Sequence, residues 1–369
     1  MNIAVNTRLL IDDLHGGIEW FTYESLRRIT AANPAHKFYF IFDRQYDEKF
    51  VFSSNVEPLV LGPRAVHPLL WHYWLQYRVK PLLKRIGADI FLSPDGMIPL
   101  GTGIPSIPVI HDINFMHRKK DLPFLKSLYF RQRFRKFALE ASRVVTVSEF
   151  SKKDMVDTWG INPEKIDVVY NGVSEEYFPD NTANDLVPAG PYFLFVGNLS
   201  PRKNVANLLR AFNIFRDKSG TKHKLIIAGE RFFLNGETDR VIGASKYKED
   251  ILLVGKKSRT ELRMLYSRAE ALVFVPWFEG FGIPVVEAMK CATPVITSST
   301  TSLPEVGGDA AIYVNPGRPA EIASAMQKLL RMNGLRRDLL EKGRIQANKF
   351  SWDNTAAGLW ETLIKSIKL

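Results

Sequence analysis

The sequence predicts an α/β protein made of two domains, each built around a parallel sheet. Three observations support this prediction. Short runs rich in β-branched and aromatic residues alternate with amphipathic helical patterns along the chain, which is typical of a parallel α/β fold. The chain has 369 residues, 46% of them hydrophobic, which is enough for two ordinary globular domains. A stretch without an apolar period separates the two halves.

The predicted strands lie in two groups on either side of that stretch. The first group comprises NIAVNT, KFYFIF, ADIFLS, IPSIPVIHD, RVVTVS and KIDVVY, and the second comprises YFLFVGN, KLIIAG, DILLVG, EALVFVP, TPVITS and AAIYV. The stretch between them, SEEYFPDNTANDLVPAGP, is rich in Pro, Asn, Asp and Gly. We therefore predict an N-terminal domain over residues 1–175, a linker over 176–190 and a C-terminal domain over 191–350.

Residues 351–369 predict a terminal helix. Apolar residues recur at helical spacing from Ala356 to Ile367, and Ser351 or Asp353 can cap the helix. Two parallel α/β domains joined by a hinge place the carboxyl ends of their strands face to face, and open α/β sheets bind ligands at those ends. The sequence therefore predicts a cleft enzyme with two substrates.

The chain has an excess of positive charge, with 50 Lys and Arg against 39 Asp and Glu and a formal net charge of +11. This charge favours anionic partners such as nucleic acid, anionic lipid or phosphorylated substrates. No apolar run approaches the roughly 18 residues of a membrane span and the N-terminus shows no signal pattern, so we expect a cytoplasmic protein. The single cysteine, Cys291, excludes an internal disulfide and a multi-thiolate zinc site, and we expect it to be buried.

The stretch VPWFEGFGIPVVEAMKCATPVIT, residues 275–297, is the most informative part of the chain. A predicted strand leads into a loop with Glu279 and two glycines, and Pro284 then suits the first turn of a helix that carries Glu287. Such a loop brings backbone close to a ligand, and the N–H groups at a helix start can donate to its oxygens. The two carboxylates can hold different parts of an extended ligand. The same pattern also suits a glycine-rich connection with one glutamate favoured by the helix dipole.

A second site is predicted at FLFVGNLSPRKNVANLLR, residues 193–210. A strand ends at Gly197, the next loop carries Arg202 and Lys203, and Asn204 is predicted to cap the following helix. Two cations at the start of a helix are expected to bind an anion. The alternative is that both cations belong to a solvated loop.

Together these stretches resemble family 4 of the glycosyltransferases, and most closely the bacterial surface-polysaccharide mannosyltransferases. The resemblance covers nearly the whole chain, because further blocks follow in family order: GGIEWF (16–21), VIHDINF (109–115), VVTVSEFSKKD (144–154), VVYNGV (168–173) and SLPEVGG (302–308). It implies a GT-B fold, with two Rossmann-like parallel α/β domains facing across a cleft and a C-terminal helix returning to the N-terminal domain. It also implies that the N-terminal domain binds the acceptor and the C-terminal domain the nucleotide sugar.

The resemblance implies roles for individual residues. In the E-x7-E motif, matched by Glu279 and Glu287, the first Glu and the loop amides after it face the sugar and the second Glu faces the ribose. Lys203 with Arg202 would bind the diphosphate, and would do so with less help than in many family members, which carry Arg where this chain has Asn198. The donor-binding residues implied in this way are Asn198, Arg202, Lys203, Gly280, Phe281, Gly282 and Glu287, together with Gly17.

Three residues of the N-terminal domain are predicted on the acceptor side. Gly16 and Gly17 precede a helix pattern, where backbone can approach a phosphate or an acceptor, although the full G-x-G-x-x-G fingerprint is absent. His111 ends a predicted strand; a histidine in that place is often structural, but the resemblance places it beside the donor sugar. Glu279, His111 and Lys203 are therefore the predicted catalytic residues.

The resemblance favours retaining transfer of a hexosyl unit, mannose above all, by front-face departure and attack, with a covalent double displacement as the alternative. Lys203 and Arg202 would stabilise the leaving diphosphate while His111 and Glu279 fix the sugar. Fixed cations would replace a metal ion, and no D-x-D motif lies in a suitable loop. We therefore expect no metal and no cofactor, with GDP-mannose or alternatively a UDP-sugar as donor. The acceptor would be a glycan or lipid-linked glycan of surface polysaccharide or lipopolysaccharide synthesis.

Other classes of protein fit the sequence less well. A nicotinamide-dependent dehydrogenase would need the missing glycine fingerprint. A non-enzymatic nucleic-acid-binding or membrane-binding protein would explain the charge but not the carboxylate pair beside the cations. A sugar-nucleotide epimerase or a phosphorylase of the same fold is the closest enzymatic alternative.

Two basic segments with interleaved aromatic residues predict contact with an anionic membrane surface. Residues 68–85, PLLWHYWLQYRVKPLLKR, contain no acid, and residues 118–137 combine many cations with aromatic residues. Anionic headgroups attract such cations while aromatic rings settle at the interface. The alternative is that the aromatic residues pack inward, and Pro81 would interrupt the first helix. We expect a peripheral position on the inner face of the cell membrane and no nucleic-acid partner. The aromatic residues concerned are Trp71, Tyr73, Trp74, Tyr77, Phe124, Tyr129, Phe130, Phe134 and Phe137.

Overall fold

The computed structural model describes residues 1–11, 16–180, 182, 188–230 and 236–367. The chain forms two compact units, one made of Met1–Gly172 with Ser351–Leu369 and the other of Val173–Phe350. Each unit has a parallel sheet flanked by helices. The predicted α/β class with two parallel-sheet domains is confirmed.

The first unit contains a five-stranded parallel sheet and a separate parallel pair of strands. Its strands are β1 (Asn2–Asn6), β2 (Lys37–Phe42), β3 (Val56–Val60), β4 (Ile90–Ser93), β5 (Ser106–Pro108), β6 (Val144–Thr146) and β7 (Ile166–Val168). The sheet has the order β3-β2-β1-β4-β5, and a bridge between Val109 and Val145 links it to the pair β6-β7. Because the strand order reverses between β1 and β4, their carboxyl ends mark the switch point at which open α/β sheets bind ligands.

The helices of the first unit bury several of the aromatic residues predicted at a membrane. They are α1 (Gly17–Ala32), α2 (Pro68–Tyr73), α3 (Lys80–Arg85), α4 (Asn114–His117), α5 (Phe124–Glu140) and α6 (Glu149–Trp159). Trp71, Trp74, Phe134 and Phe137 are buried in one apolar core, so the expectation that they face a membrane is wrong. A π-helical segment, Trp74–Val79, joins α2 to α3, and Pro81 occupies the first turn of α3, where its missing N–H costs little.

The second unit contains a six-stranded parallel sheet. Its strands are β8 (Tyr192–Val196), β9 (Lys224–Ala228), β10 (Ile251–Gly255), β11 (Ala271–Phe274), β12 (Val295–Ser298) and β13 (Ala311–Val314). Every residue of β8 and β11 is buried, as expected for strands of a parallel sheet that is covered on both faces. The sheet has the order β10-β9-β8-β11-β12-β13, so its switch point lies between β8 and β11.

Some helices of the second unit begin at start signals in the sequence. They are α7 (Val205–Ser219), α8 (Gly236–Gly243), α9 (Arg259–Arg268), α10 (Ile283–Lys290), α11 (Leu303–Gly307), α12 (Pro319–Arg331) and α13 (Asn333–Ala347). A capping box formed by Ser258 and Glu261 begins α9. Pro284 lies in the first turn of α10 as predicted, and Cys291 after it is buried as predicted.

The first part of the predicted linker packs on the second unit. Arg259 of α9 lies 2.7 Å from the Glu176 carboxylate, and Arg263 lies 3.0 Å from Asp180. These ion pairs attach residues 173–180 to the sheet domain that follows them. Residues 181 and 183–187 of the predicted linker lie outside the described residues.

The C-terminal helix, α14 (Trp352–Ile367), belongs to the first unit. Arg28 Nε donates to Asp353 Oδ1 at 2.6 Å, and Thr355 Oγ1 donates to the Tyr170 carbonyl at 2.7 Å. Of the two predicted caps, Ser351 makes the capping bond, since its hydroxyl accepts from the Asn354 N–H at 3.1 Å. The expected return of this helix to the N-terminal domain is confirmed.

Candidate functional site

Lys203 and Glu279 meet at the switch point of the second unit. A short turn carries Lys203 beyond the end of β8, and Glu279 lies in the loop after β11. The Lys203 ammonium donates a hydrogen bond to Glu279 Oε1, and both residues are buried. Arg202 NH1 lies 4.0 Å from the same oxygen. The fold thus brings together three residues that the sequence placed in two separate ligand-binding stretches.

The charge state of Glu279 follows from these two cations. Burial alone would raise the pKa of Glu279, but the charges of Lys203 and Arg202 outweigh burial and hold the pKa below its usual value of 4.5. The carboxylate is therefore ionised at neutral pH. Lys203 Nζ also lies 4.9 Å from the centroid of the Phe274 ring, which adds a cation–π contact. A fixed carboxylate beside two cations can accept from a sugar hydroxyl while the cations face phosphate oxygens.

Hydrogen bonds to backbone carbonyls fix the two loops of the site. The Trp277 N–H donates to the Arg202 carbonyl at 2.8 Å, which joins the loop after β8 to the loop after β11. The buried Ser302 hydroxyl lies 3.0 Å from the carbonyl oxygens of both Glu279 and Phe281. The loop that carries Glu279 is therefore fixed from both sides, which keeps the carboxylate in place.

The glycine-rich loop uses its residues in different ways. Gly282 has φ of 102°, and a Cβ there would lie 2.6 Å from Leu303 Cδ2, so the turn into α10 needs a glycine. The Phe281 ring is buried and packs edge-on against Phe350, with centroids 5.3 Å apart. Phe281 can therefore bind a nucleotide sugar only through its backbone. The same holds for Gly280, which was also predicted to bind the donor.

Two buried polar atoms near the cations have no partner among the described residues. They are Asn198 Oδ1 and Ser200 Oγ, both in the loop between β8 and Lys203. Buried polar atoms without a hydrogen bond are rare in folded proteins. The loop thus offers neutral polar groups as well as charge to a ligand at the switch point. Asn198 was predicted from the family motif, whereas Ser200 was not.

The predicted capping role of Asn204 is wrong. Its backbone is left-handed, with φ of 60°, and its side chain makes no hydrogen bond to the start of α7. Its amide instead donates to the carbonyls of Val275 and Pro316, each at 2.8 Å. Asn204 therefore ties the loop after β8 to the loops after β11 and β13, which a local capping rule cannot foresee.

Glu287 lies in an environment unlike that of Glu279. Its carboxylate accepts from the Tyr266 hydroxyl at 2.8 Å and from the Tyr177 hydroxyl. Burial raises the pKa of Glu287 above its usual value, although both tyrosines act against that rise. Neither tyrosine was found from the sequence, because Tyr266 lies 21 positions before Glu287 and no local pattern connects them.

The predicted residues of the first unit lie after its strands and at the start of α1. His111 follows β5, its Nε2 lies 3.0 Å from the Pro94 carbonyl, and its ring packs edge-on against Phe21 of α1 at 5.0 Å. Burial lowers the pKa of His111, so the imidazole is neutral at pH 7. Gly16 is the N-cap of α1 with extended backbone, Gly17 is exposed, and residues 12–15 before them lie outside the described residues.

An ion pair that the sequence analysis did not identify lies at the switch point of the first unit. Arg8, two residues beyond β1, lies 2.5 Å from Asp95, two residues beyond β4, and both side chains are buried. This pair occupies the switch point of the first unit, as the Lys203–Glu279 pair does in the second. Within the described ranges, no three His, Cys, Asp or Glu side chains are arranged to hold a metal ion.

Two family models match the chain one after the other. The model "Glycosyltransferase Family 4" matches residues 15–177, and "Glycosyl transferases group 1" matches residues 180–346. The chain belongs to family 4 of the glycosyltransferases. The switch-point cluster of the second unit, with Glu279 and Glu287 of the E-x7-E motif, lies inside the group 1 match.

Curated relatives and solved structures agree with this family. The chain is 27% identical over 256 residues to O-antigen chain mannosyltransferase B of Escherichia coli, covering 68% of this chain and 67% of that one. It is 29% identical over 291 residues to O-antigen chain mannosyltransferase RfbU of Salmonella typhimurium, covering 77% and 78%. A crystal structure of Anabaena Alr3699/HepE in complex with UDP-glucose is 17% identical, covers 99% and 100% of the two chains and has a TM-score of 0.76. That likeness shows the GT-B fold.

Proposed function

We propose that this glycosyltransferase moves a mannosyl unit from GDP-mannose to a glycan or lipid-linked glycan acceptor, with retention of configuration at the anomeric carbon. The observation that supports this most is the buried Lys203–Glu279 pair beside Arg202 at the switch point of the second unit. The names of the O-antigen mannosyltransferases that the chain resembles support mannose and a role in lipopolysaccharide synthesis.

In this proposal Lys203 and Arg202 bind the donor diphosphate. Negative charge grows on that group as the glycosidic bond breaks, and preorganised cations in a site shielded from water stabilise it strongly. The Ser200 hydroxyl, which lacks a partner among the described residues, can donate to the same group, whereas Asn198 Oδ1 can accept from a hydroxyl of the donor. Fixed cations supply the compensating charge, so we propose that transfer needs no added metal ion and no cofactor.

Glu279 and Glu287 take different parts of the donor. Glu279 is ionised and held by Lys203, which suits it to accept from a sugar hydroxyl and so to position the reacting carbon. Glu287 is oriented by Tyr266, which suits it to accept from the ribose hydroxyls. His111 in the first unit is proposed as a further catalytic residue, with Gly16 and Gly17 on the acceptor side.

The test is a donor screen followed by transfer assays on purified full-length protein. GDP-mannose should raise the melting temperature more than UDP-glucose, and a UDP-sugar that stabilises more would replace GDP-mannose in the proposal. Glu279→Gln should lower turnover about 100-fold or more while nucleotide affinity is largely kept, because it removes transition-state positioning. Equal turnover of Glu279→Gln and wild type would contradict the role of Glu279.

Product analysis tests the chemistry of the same reaction. An α-linked product from an α-linked donor, seen by NMR, is expected, together with full activity in excess chelator. A β-linked product would contradict retention, and activity lost in chelator and restored by magnesium would contradict metal independence. Conversion of donor without any acceptor would favour the epimerase alternative.

We also propose that the first unit binds an anionic membrane surface. Helix α2, the π-helical segment that follows it and helix α5 expose an apolar surface, which we define as Leu69, Tyr73, Tyr77, Phe124 and Leu125. Exposed cations lie on the same elements and just before α5: Arg78, Lys119, Lys120 and Arg131. Anionic lipid complements this charge, at about 1 kcal/mol for each well-placed cation. No helix in the described part of the chain is long and apolar enough to cross a bilayer.

Sedimentation with vesicles of phosphatidylglycerol and phosphatidylcholine tests this surface. Changing Lys119, Lys120 and Arg131 together to Ser should weaken binding about 100-fold at low salt. The matched control changes exposed lysines of the second unit, Lys218, Lys222 and Lys328, to Ser. Equal binding by both triple variants, or no binding of wild type to anionic vesicles, would remove the membrane proposal and leave the enzymatic one intact.

A further inference from the structure

The switch point of the first unit carries a cluster of charged and aromatic side chains to which no role is assigned above. Arg8 is buried, pairs with Asp95 and donates from NH1 to the Ala65 carbonyl at 3.3 Å. Its guanidinium carbon lies 5.5 Å from the centroid of the Trp71 ring. Trp71 is itself fixed, because its indole N–H donates to the same carbonyl at 2.7 Å. The cluster is thus rigid and lies at the sheet edge where α/β domains bind ligands.

Helix α5 adds a second cation to this cluster. Lys126 Nζ lies 5.7 Å from the Trp71 ring centroid and 5.4 Å from that of Phe130. Within the described ranges no carboxylate reaches salt-bridge distance of Lys126. Glu19 of α1 is near enough to act on its charge but makes no hydrogen bond to it, while Arg8 repels it. Lys126 is therefore a partly buried cation without a bonded counterion among these residues.

Tyr129 supplies a second, independent sign of a ligand. Its hydroxyl is buried and has no hydrogen-bond partner among the described residues. The ring packs edge-on against Trp71 at 5.7 Å, so the hydroxyl belongs to the same cluster as Arg8 and Lys126. Arg133, one turn further along α5, also acts on this hydroxyl. Arg8 and the Asp95 carboxylate act on it as well, so two cations and one carboxylate influence this unpartnered hydroxyl.

We propose that Arg8, Lys126 and Tyr129 form a subsite for a phosphate group of the acceptor, an inference that rests on the proposed glycosyltransferase function. A phosphate would accept hydrogen bonds from the Tyr129 hydroxyl and the Lys126 ammonium and would lie near the Arg8 guanidinium. It would thus supply a partner for the Tyr129 hydroxyl and a counterion for Lys126. The exposed apolar surface of α2 and α5 begins on the same helices, at Leu69 and Phe124. The phosphate could belong to a lipid diphosphate or to a soluble sugar phosphate.

The test is calorimetric titration of the full-length protein, first saturated with GDP so that the second unit does not compete for phosphate. Three probes distinguish a lipid diphosphate from a soluble sugar phosphate as the source of the bound phosphate: farnesyl diphosphate, mannose 1-phosphate and farnesol. A lipid-linked acceptor predicts that farnesyl diphosphate binds much more tightly than the other two. A soluble acceptor predicts that mannose 1-phosphate binds as tightly as farnesyl diphosphate. Equal binding of farnesol and farnesyl diphosphate would show apolar binding alone and would overturn the subsite.

Variants then assign the residues. Lys126→Met and Tyr129→Phe should each weaken binding of the phosphate probe about tenfold or more, since each removes a hydrogen bond to a charged group. Lys126→Arg should restore most of the affinity. The matched control is Lys152→Met, which removes a partly buried lysine from α6 and should leave binding unchanged. Wild-type affinity in both test variants would overturn the subsite.

A separate titration with GDP-mannose keeps this inference distinct from the proposed function. Lys126→Met should bind GDP-mannose as wild type does, because Lys126 belongs to the first unit. Failure of wild type to bind any nucleotide sugar would refute the donor proposal. Failure to bind any phosphate probe, with nucleotide binding intact, would refute the subsite alone.

Discussion

Replacing Lys203 by Met removes the cation that compensates buried Glu279. Breaking a buried ion pair in this way costs about 3–5 kcal/mol, since the remaining charge stays out of water. Arg202 at 4.0 Å still compensates part of the charge, so we expect about 3 kcal/mol. For a domain of this size, that corresponds to a melting temperature lower by about 6–12 °C. Calorimetry of the full-length protein should show this shift in the transition of the second unit.

Two comparisons make the result specific to the pair. Adding Glu279→Gln to Lys203→Met should recover most of the loss, because no buried charge remains. Lys342→Met is the matched control: its partner Asp338 lies 2.7 Å away on an exposed helix face, and its loss should leave the melting temperature nearly unchanged. If the double variant melts no higher than Lys203→Met, the destabilisation does not come from unpaired Glu279.

The pH dependence of the same variant has a definite sign. In wild type the pKa of Glu279 lies below 4.5, so the stabilisation by the pair is present at neutral pH and is lost as the pH falls through that lowered pKa. In Lys203→Met, Glu279 is buried with less positive charge beside it, which raises its pKa. Protonation at lower pH then removes the cost of burying an unpaired carboxylate. The stability difference between the two proteins should therefore narrow as the pH falls from 7 to below 4.5. A constant difference would contradict this account.

Three further predictions concern single positions. Tyr266→Phe should weaken GDP binding about tenfold by calorimetry, because Glu287 loses one of the two tyrosine hydrogen bonds that orient it. Tyr192→Phe, a change at another buried tyrosine of this unit, should leave affinity unchanged. Gly282→Ala should lower the melting temperature by several degrees, since alanine at φ of 102° costs about 1–3 kcal/mol before its clash with Leu303 is counted; an unchanged melting temperature would argue against a fixed loop. Wild type should lose stability as the pH falls below 6.5, because the pKa of His111 is lower in the folded state and the unfolded state therefore takes up the proton at a higher pH. His111→Gln should show a smaller loss over the same pH range. Identical pH profiles of the two proteins in thermal melts would contradict this.

The sequence was sufficient to predict the features that depend on local pattern. Alternating strand and helix signals gave the two parallel-sheet units, and the loop after β11 was recognised from Glu279, its glycines and Pro284. Placing Glu279 and Lys203 in one donor site required the family resemblance, and their ion pair was not predicted, because these residues are 76 positions apart and meet only where β8 lies next to β11.

What the sequence did not reveal depends on contacts between distant elements. Arg8 and Asp95 are 87 positions apart, and nothing near either residue indicates that they pair. Asn204 looks like a helix cap by its position, but its left-handed backbone directs the amide to two other loops. Trp71 is buried although its segment has the composition of a membrane surface, because α5 packs over it.

In the proposed donor site, the second unit binds a nucleoside diphosphate sugar through Lys203 and its neighbours. Calorimetric titration of the full-length protein with GDP-mannose, GDP and GMP measures this directly. We expect GDP-mannose and GDP to bind at least about tenfold more tightly than GMP, and we expect Lys203→Met to lose this preference, because the lysine is proposed to bind the diphosphate. Equal affinity of wild type for GDP and GMP, or an unchanged preference in Lys203→Met, would contradict the claim.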